Sequence, residues 1–123
     1  MARINLIIEK AEDGNLWGRV NFRNNLMVDF ASTVERLENK MRRLIKKFHG
    51  VEAVFDHAYD VSAFFESFDF LNQTKIADLS GINPSLLRQY ASGVKHPSPH
   101  QAKKIEAVIH QLAKELKSVS LYA

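Results

Sequence analysis

The chain has 123 residues, with 17 Lys and Arg against 14 Asp and Glu, five His and no Cys. That length holds one compact domain or two very small ones, and a chain 46% hydrophobic and 25% charged is globular rather than disordered. The lack of Cys excludes a disulfide scaffold, a thiolate metal site and a cysteine nucleophile, and no apolar run is long enough to span a membrane. Met1-Ala2-Arg3-Ile4-Asn5 lacks the apolar core of a signal peptide, so a cytoplasmic protein is expected. The formal charge of +3 is informative only once it is placed along the chain. Residues 1–70 hold ten Lys/Arg and eleven Asp/Glu, a balance of −1, whereas residues 71–123 hold seven against three, or +4. A near-neutral module joined to a nucleic-acid module has this asymmetry.

Ile4, Leu6 and Ile8 alternate with their neighbours and predict a strand. Asp13-Gly14 marks a hairpin turn, since glycine adopts positive φ without steric cost. In the next strand Leu16, Gly18, Val20 and Phe22 share one face and Trp17, Arg19 and Asn21 the other. Arg23-Asn24-Asn25 is a second turn, and Leu26, Val28 and Phe30 mark a third strand with Asp29 on the opposite face. Ser32-Thr33-Val34-Glu35 predicts a capping box with Ser32 as the cap. Behind it Val34, Leu37, Met41, Leu44, Ile45 and Phe48 form the apolar stripe of a helix closed by Gly50. Lys40, Arg42, Arg43, Lys46 and Lys47 give that helix a basic surface, either a solvated face complementing the helix dipole or an RNA-touching one. Phe55, His57, Tyr59 and Val61 predict a fourth strand. Trp17 is an interface anchor if exposed and core if covered; Trp17, Arg19 and Phe22 are the candidate partner-contacting residues.

Downstream the pattern becomes helical. Ser62 is placed to cap a short helix through Phe64, Phe65, Phe68 and Leu71. Asn72 caps a second, Gln73 to Ser80, with Ile76, Ala77 and Leu79 facing inward. Ser80-Gly81-Ile82-Asn83 supplies a sharp turn, an apolar plug and the next cap, and Pro84 sits at the first position of a third helix buried through Leu86, Leu87 and Tyr90. Gly93 stops it. Ser98 and Pro99 start a last helix whose stripe runs through Ala102, Ile105, Ile109, Leu112, Ala113 and Leu116. Residues 119–123 are either a frayed end or a subunit contact. The arrangement predicts a helix-turn-helix, in which the third helix is the one expected to enter the DNA major groove. The candidate DNA-contacting residues are Gln73, Asn83, Ser85, Arg88, Gln89, Ser92 and Lys95, with Lys75, Lys103 and Lys104 as phosphate neutralisers. Arg88 suits the O6/N7 edge of guanine and Gln89 the N6/N7 edge of adenine, while Gln73 at a helix start suits a phosphate.

Gln73-Thr74-Lys75-Ile76-Ala77 followed by Gly81-Ile82-Asn83, with Gly93 and Pro97, resembles the Xre/λ-repressor-type helix-turn-helix, although Ala91 stands where that family commonly has Glu. Tyr59-Asp60-Val61-Ser62-Ala63-Phe64-Phe65, Tyr90 to Pro97 and the β-β-β-α-β unit ahead of them together look like the HicB family of antitoxins. Thr33-Val34-Glu35 is similar to the start of that family's helix. This resemblance implies an α+β chain. Residues 1–61 would be a partial RNase H-like unit that binds and blocks a HicA-type toxin, a small ribonuclease. Residues 62–123 would be an all-α helix-turn-helix domain that represses its own operon by binding double-stranded operator DNA as a dimer or tetramer. The alternatives are a stand-alone regulator with an N-terminal dimerisation or partner-binding module, and an RNA-binding protein using the Lys40–Lys47 surface.

No enzyme activity, cofactor or metal is expected. Glu9, Asp13, Asp29 and Asp56 are the acids an RNase H-like metal site would have to draw on, and their scattered positions suit surface residues better. His96 and His100 are separated by Pro97 and Pro99 and do not share a helix face.

Overall fold

A computed structural model describes all residues, 1–123, as two compact units, Met1–Ser67 and Phe68–Ala123. The chain is α+β, with a four-stranded mixed sheet and five helices. The unit boundary lies one helix later than the residue 61/62 division expected from the sequence, because the short helix there packs on the sheet. The formal charge divides cleanly at this boundary. The first unit has ten Lys/Arg and ten Asp/Glu, and the second has seven against four, so the whole +3 belongs to the second.

In the first unit β1 (Ala2–Lys10), β2 (Leu16–Phe22) and β3 (Asn25–Ala31) form an antiparallel meander. Helix α1 (Val34–His49) then crosses the sheet to β4 (Ala53–Tyr59), which lies parallel to β1, giving the order β3-β2-β1-β4. Leu37, Met41 and Ile45 of α1 are fully buried against Leu6, Ile8 and Val20. Phe48, at the end of the predicted stripe, is exposed. The cap of α1 is Thr33, whose hydroxyl accepts from the Arg36 amide at 3.2 Å, not Ser32. Moving the cap one residue on puts Arg36 where a capping box needs an acid, so only half of the box forms. The predicted fourth strand ends at Tyr59. Val61 instead begins α2 (Val61–Ser67), and Asp60 rather than Ser62 caps it, accepting from the Ala63 amide at 2.7 Å. Ala63 completes the core and Lys10 pairs with Glu66 at 2.7 Å, which ties α2 to β1.

The hairpin register determines which residues of β3 meet the core. Arg23 and Asn24 alone form the turn, both at positive φ (52° and 61°), so Asn25 pairs with Phe22. This turns Met27, Asp29 and Ala31 toward α1 and leaves Leu26, Val28 and Phe30, the apolar alternation that marked the strand, on the outer face.

Three solvated carboxylates make charged or amide contacts in the first unit. Asp56 on β4 takes a two-pronged hydrogen bond from Arg3 on β1, with both closest contacts at 2.8 Å. Glu52 pairs with Lys46, and Asp13 accepts from the Asn15 amide at 2.9 Å. The Arg3 hydrogen bond lowers the pKa of Asp56, the Lys46 hydrogen bond that of Glu52, and the Asn15 amide that of Asp13. With the folded values below the unfolded ones, the stabilisation is present at neutral pH and is lost as pH falls below about 4 toward the folded values. Asp56→Asn is expected to flatten the acid limb of a melting-temperature profile at low salt, and a modest effect is expected because these groups are solvated. An acid limb identical to that of the wild type would show that the pair contributes nothing.

In the second unit α3 (Gln73–Ser80), α4 (Pro84–Ser92) and α5 (Pro99–Lys117) enclose Ile76, Ala77, Ile82, Leu87, Tyr90 and Ile105. Asn72, Asn83 and Ser98 cap the three helices as expected. Leu79, expected inside, is 62% exposed. Only Ile105 of the α5 stripe is buried; Ala113 and Leu116 are exposed, as are residues 119–123. No helix is long and apolar enough to cross a membrane.

Candidate functional site

The connection between α3 and α4 is built from local rules. Gly81 adopts the left-handed conformation (φ 71°) that ends α3, and its amide returns to the end of that helix. Ile82, 4% exposed, anchors the turn in the core and its amide donates to the Ala77 carbonyl at 3.0 Å. Asn83 then opens α4 by accepting from the Ser85 amide at 2.9 Å, and Pro84 occupies the first position, where no amide is needed. The Asn83 carbonyl oxygen is thereby engaged in capping, which leaves only its amide nitrogen for an outside acceptor.

Helix α4 is short and two-sided. Leu87 and Tyr90 point into the core, while Ser85, Arg88 and Ser92 are exposed and Gln89 is half-buried. The spacing of Ser85, Arg88, Gln89 and Ser92 gathers them on the face opposite Leu87. The Arg88 guanidinium donates to the Ser85 hydroxyl at 3.3 Å, and the Ser92 hydroxyl donates to the Gln89 carbonyl at 3.1 Å. The Ser85 contact takes one N–H of the Arg88 Nη2 and leaves the remaining guanidinium N–H groups, and neither contact uses the side-chain amide of Gln89. Gly93 (φ 85°) closes α4, and the Lys95 amide donates to the Gln89 carbonyl at 3.2 Å, placing Lys95 just past the helix end. Gln73 is the first residue of α3, and Lys75 is exposed one residue beyond Thr74. Lys103 is paired with Glu106 at 3.4 Å and Lys104 is half-buried, so these two predicted phosphate neutralisers are the least free of the set.

In the first unit the sheet face away from α1 is open. Ile7, Arg19 and Val28 stand side by side across β1, β2 and β3, and Glu9, Trp17 and Phe30 form the next row. Trp17 is 36% and Phe30 42% exposed, with rings stacked at 4.7 Å. The Trp17 indole donates to Asp13 at 3.2 Å, and Arg19 pairs with Glu9 at 3.1 Å. Trp17 and Arg19 therefore share this face. Phe22, the third candidate partner contact, does not: it lies on the core side, half-buried, edge-on to the His49 ring at 5.1 Å. Period-2 alternation from Val20 already gave that orientation. Phe30, Val28 and Leu26 are exposed, which apolar alternation alone does not reveal. The two-residue turn is the signal that finds them, because pairing Phe22 with Asn25 sets Phe30 opposite Trp17.

Glu9, Asp13, Asp29 and Asp56 lie apart, against Arg19, Trp17, Lys40 and Arg3 respectively. No group of three His, Asp or Glu side chains is placed to hold a metal ion together. No protein-family model matches the chain, and no curated protein or solved structure matches it.

Proposed function

We propose that the chain is a DNA-binding repressor and antitoxin of the HicB kind. In this reading α3, the turn at Gly81 and α4 form a helix-turn-helix, and α4 enters the major groove. The observation that carries it is the outward face of α4, with Arg88 and Gln89 side by side, in the unit that owns the chain's entire positive surplus. Lys75 and Lys95 would neutralise phosphates, and Gln73 would bond a phosphate at the start of α3. A twofold oligomer would let two α4 helices address half-sites about one helical turn apart. The unburied stripe of Ile109, Leu112 and Leu116 on α5 is a surface suited to such an oligomer.

The partner of the first unit in this reading is a small ribonuclease toxin, blocked by occlusion at the open sheet face. Trp17 stacked on Phe30, beside Val28 and Arg19, has the aromatic and arginine content of an interface anchor. The test is co-expression with any small basic protein encoded beside this gene. Rescue of growth by the wild-type chain, and its loss with Trp17→Ala and Arg19→Glu together, is the expected result. Rescue that survives both substitutions removes the sheet face from the proposal. A neighbouring gene product that is harmless and does not copurify favours the stand-alone regulator.

A further inference from the structure

The first unit has a second feature, on the edge of the sheet rather than its face. β3 is an outer strand, and its two-residue turn makes Phe22 and Asn25 a hydrogen-bonded pair. Along β3, Asn25, Met27, Asp29 and Ala31 therefore direct their backbone groups to β2, and Leu26, Val28 and Phe30 direct theirs outward. Phe30 agrees with this assignment. Its carbonyl accepts from the Lys40 ammonium at 2.7 Å and its amide donates to the Asp29 carboxylate at 2.8 Å. Those two side chains close the edge at Phe30. Nothing in the fold takes up the outward N–H and C=O of Leu26 and Val28, whose side chains are 62% and 49% exposed. The edge is thus open over Leu26-Met27-Val28 and shut beyond.

Beside β3, next to the open stretch at Asp29, runs a basic wall. Arg36, Lys40, Arg43 and Lys47 recur at helical spacing on one side of α1. Asp29, Lys40, Arg43, Leu44 and Lys47 line a groove of about 230 Å³ between α1 and β3. Lys40 lies 3.7 Å from Asp29, but none of the protein's ion pairs uses Arg36, Arg43 or Lys47.

We propose that the β3 edge and the basic side of α1 form one docking groove, which takes an extended acidic segment of a partner protein as an added strand beside Leu26–Val28. An added strand uses the open backbone groups for affinity and alternate side chains for selection. Residues on its α1 side would meet Arg43 and Lys47, which selects Asp or Glu. Residues on its other side would extend the row of Leu26 and Val28, which selects aliphatic side chains. A second copy of this chain fits poorly, since twofold pairing of β3 with β3 would bring two basic walls together. A nucleic acid would use the cations and leave the open backbone groups and Leu26 unused. The added strand shares Val28 with the outer sheet face, whereas Arg43 and Lys47 belong to neither that face nor α4, so Arg43→Glu with Lys47→Glu is the arm that stands apart from the other tests.

The probe is a labelled, end-capped peptide alternating Glu and Val, titrated against the full chain by fluorescence anisotropy. A Lys/Val peptide and single-stranded oligouridylate run in parallel. Saturable binding of the Glu/Val peptide is expected, with amide shifts at Leu26 and Val28 in the unsubstituted protein. Arg43→Glu with Lys47→Glu should weaken it by at least about tenfold. Val28→Pro should do the same by deleting one outward N–H, a change an edge strand tolerates. Equal binding of the Lys/Val peptide, absence of Glu/Val binding, or undisturbed Leu26 and Val28 amides overturns the proposal. Tight oligouridylate binding that Val28→Pro leaves unchanged, without peptide binding, assigns the basic wall to RNA instead.

Discussion

Replacing Arg88 and Gln89 by alanine together is expected to abolish sequence-specific DNA binding while the fold persists. Each bidentate base contact supplies about 1–3 kcal/mol of discrimination, so losing two lowers affinity for the selected site by roughly two orders of magnitude or more. The fold has little stake in either side chain. The Arg88 side chain hydrogen-bonds within the protein to the Ser85 hydroxyl, an exposed contact, and alanine is the better helix former. Lys95→Ala should act differently, weakening binding to all sequences alike and lowering the salt slope by about one. Anisotropy on a duplex recovered by selection from random sequence, compared with an unselected duplex, separates the two behaviours. If the double variant keeps its preference for the selected duplex, α4 is not the reading helix. If it loses toxin rescue as well, the two units do not act as separate modules.

The second large effect lies under α1. A Cβ built on Gly18 would sit 2.9 Å from Cδ2 and 3.1 Å from Cγ of Leu37, a side chain with no exposure in the centre of the first core. Gly18 is therefore what lets α1 lie close on β2. Gly18→Ala should cost about 1–3 kcal/mol by overpacking. Leu37→Ala should cost about 2–5 kcal/mol by loss of burial and a residual cavity. The double variant should cost less than the sum, because the new methyl group occupies space that Leu37 vacates, with a coupling on the order of 1 kcal/mol. Urea titration followed by Trp17 fluorescence measures this cleanly, since Trp17 is the one tryptophan and lies in the first unit. Strictly additive costs would mean that α1 moves off the sheet to admit the methyl group.

Much of the fold was legible because it is written locally. Asn72, Asn83 and Ser98 cap the helices they were expected to cap, and Gly50, Gly81 and Gly93 end helices in the left-handed conformation. The misreadings share a cause. Ser32 and Thr33 are both competent caps, and backbone geometry chose Thr33. Ser62 and Asp60 are likewise both competent, and Asp60, which also approaches the Lys10 amide at 3.3 Å, was selected by its place beside β1. Val61 continues the alternation of β4, yet the strand stops at Tyr59, and the Asp60 amide donates to the Ile8 carbonyl at 2.9 Å. Leu79 has the right spacing for a core residue, but no element covers that side of α3.

The sequence by itself determined the order of the strands and helices, the approximate places of the turns, most of the caps and the placing of the positive charge in the second unit. These are set by residues within a few positions of one another. It also placed Arg88 and Gln89 on the outward face of α4, since one turn of helix fixes that relation. Only the tertiary structure decided that Leu26, Val28 and Phe30 face away from the core, that Trp17 stacks on Phe30, and that Arg43 and Lys47 line a groove with Asp29 of β3. Apolar alternation cannot distinguish the two faces of β3. The distinction comes from the hairpin register with β2, which the two-residue turn sets locally, and from the side on which α1 packs, which depends on groups far apart in the chain.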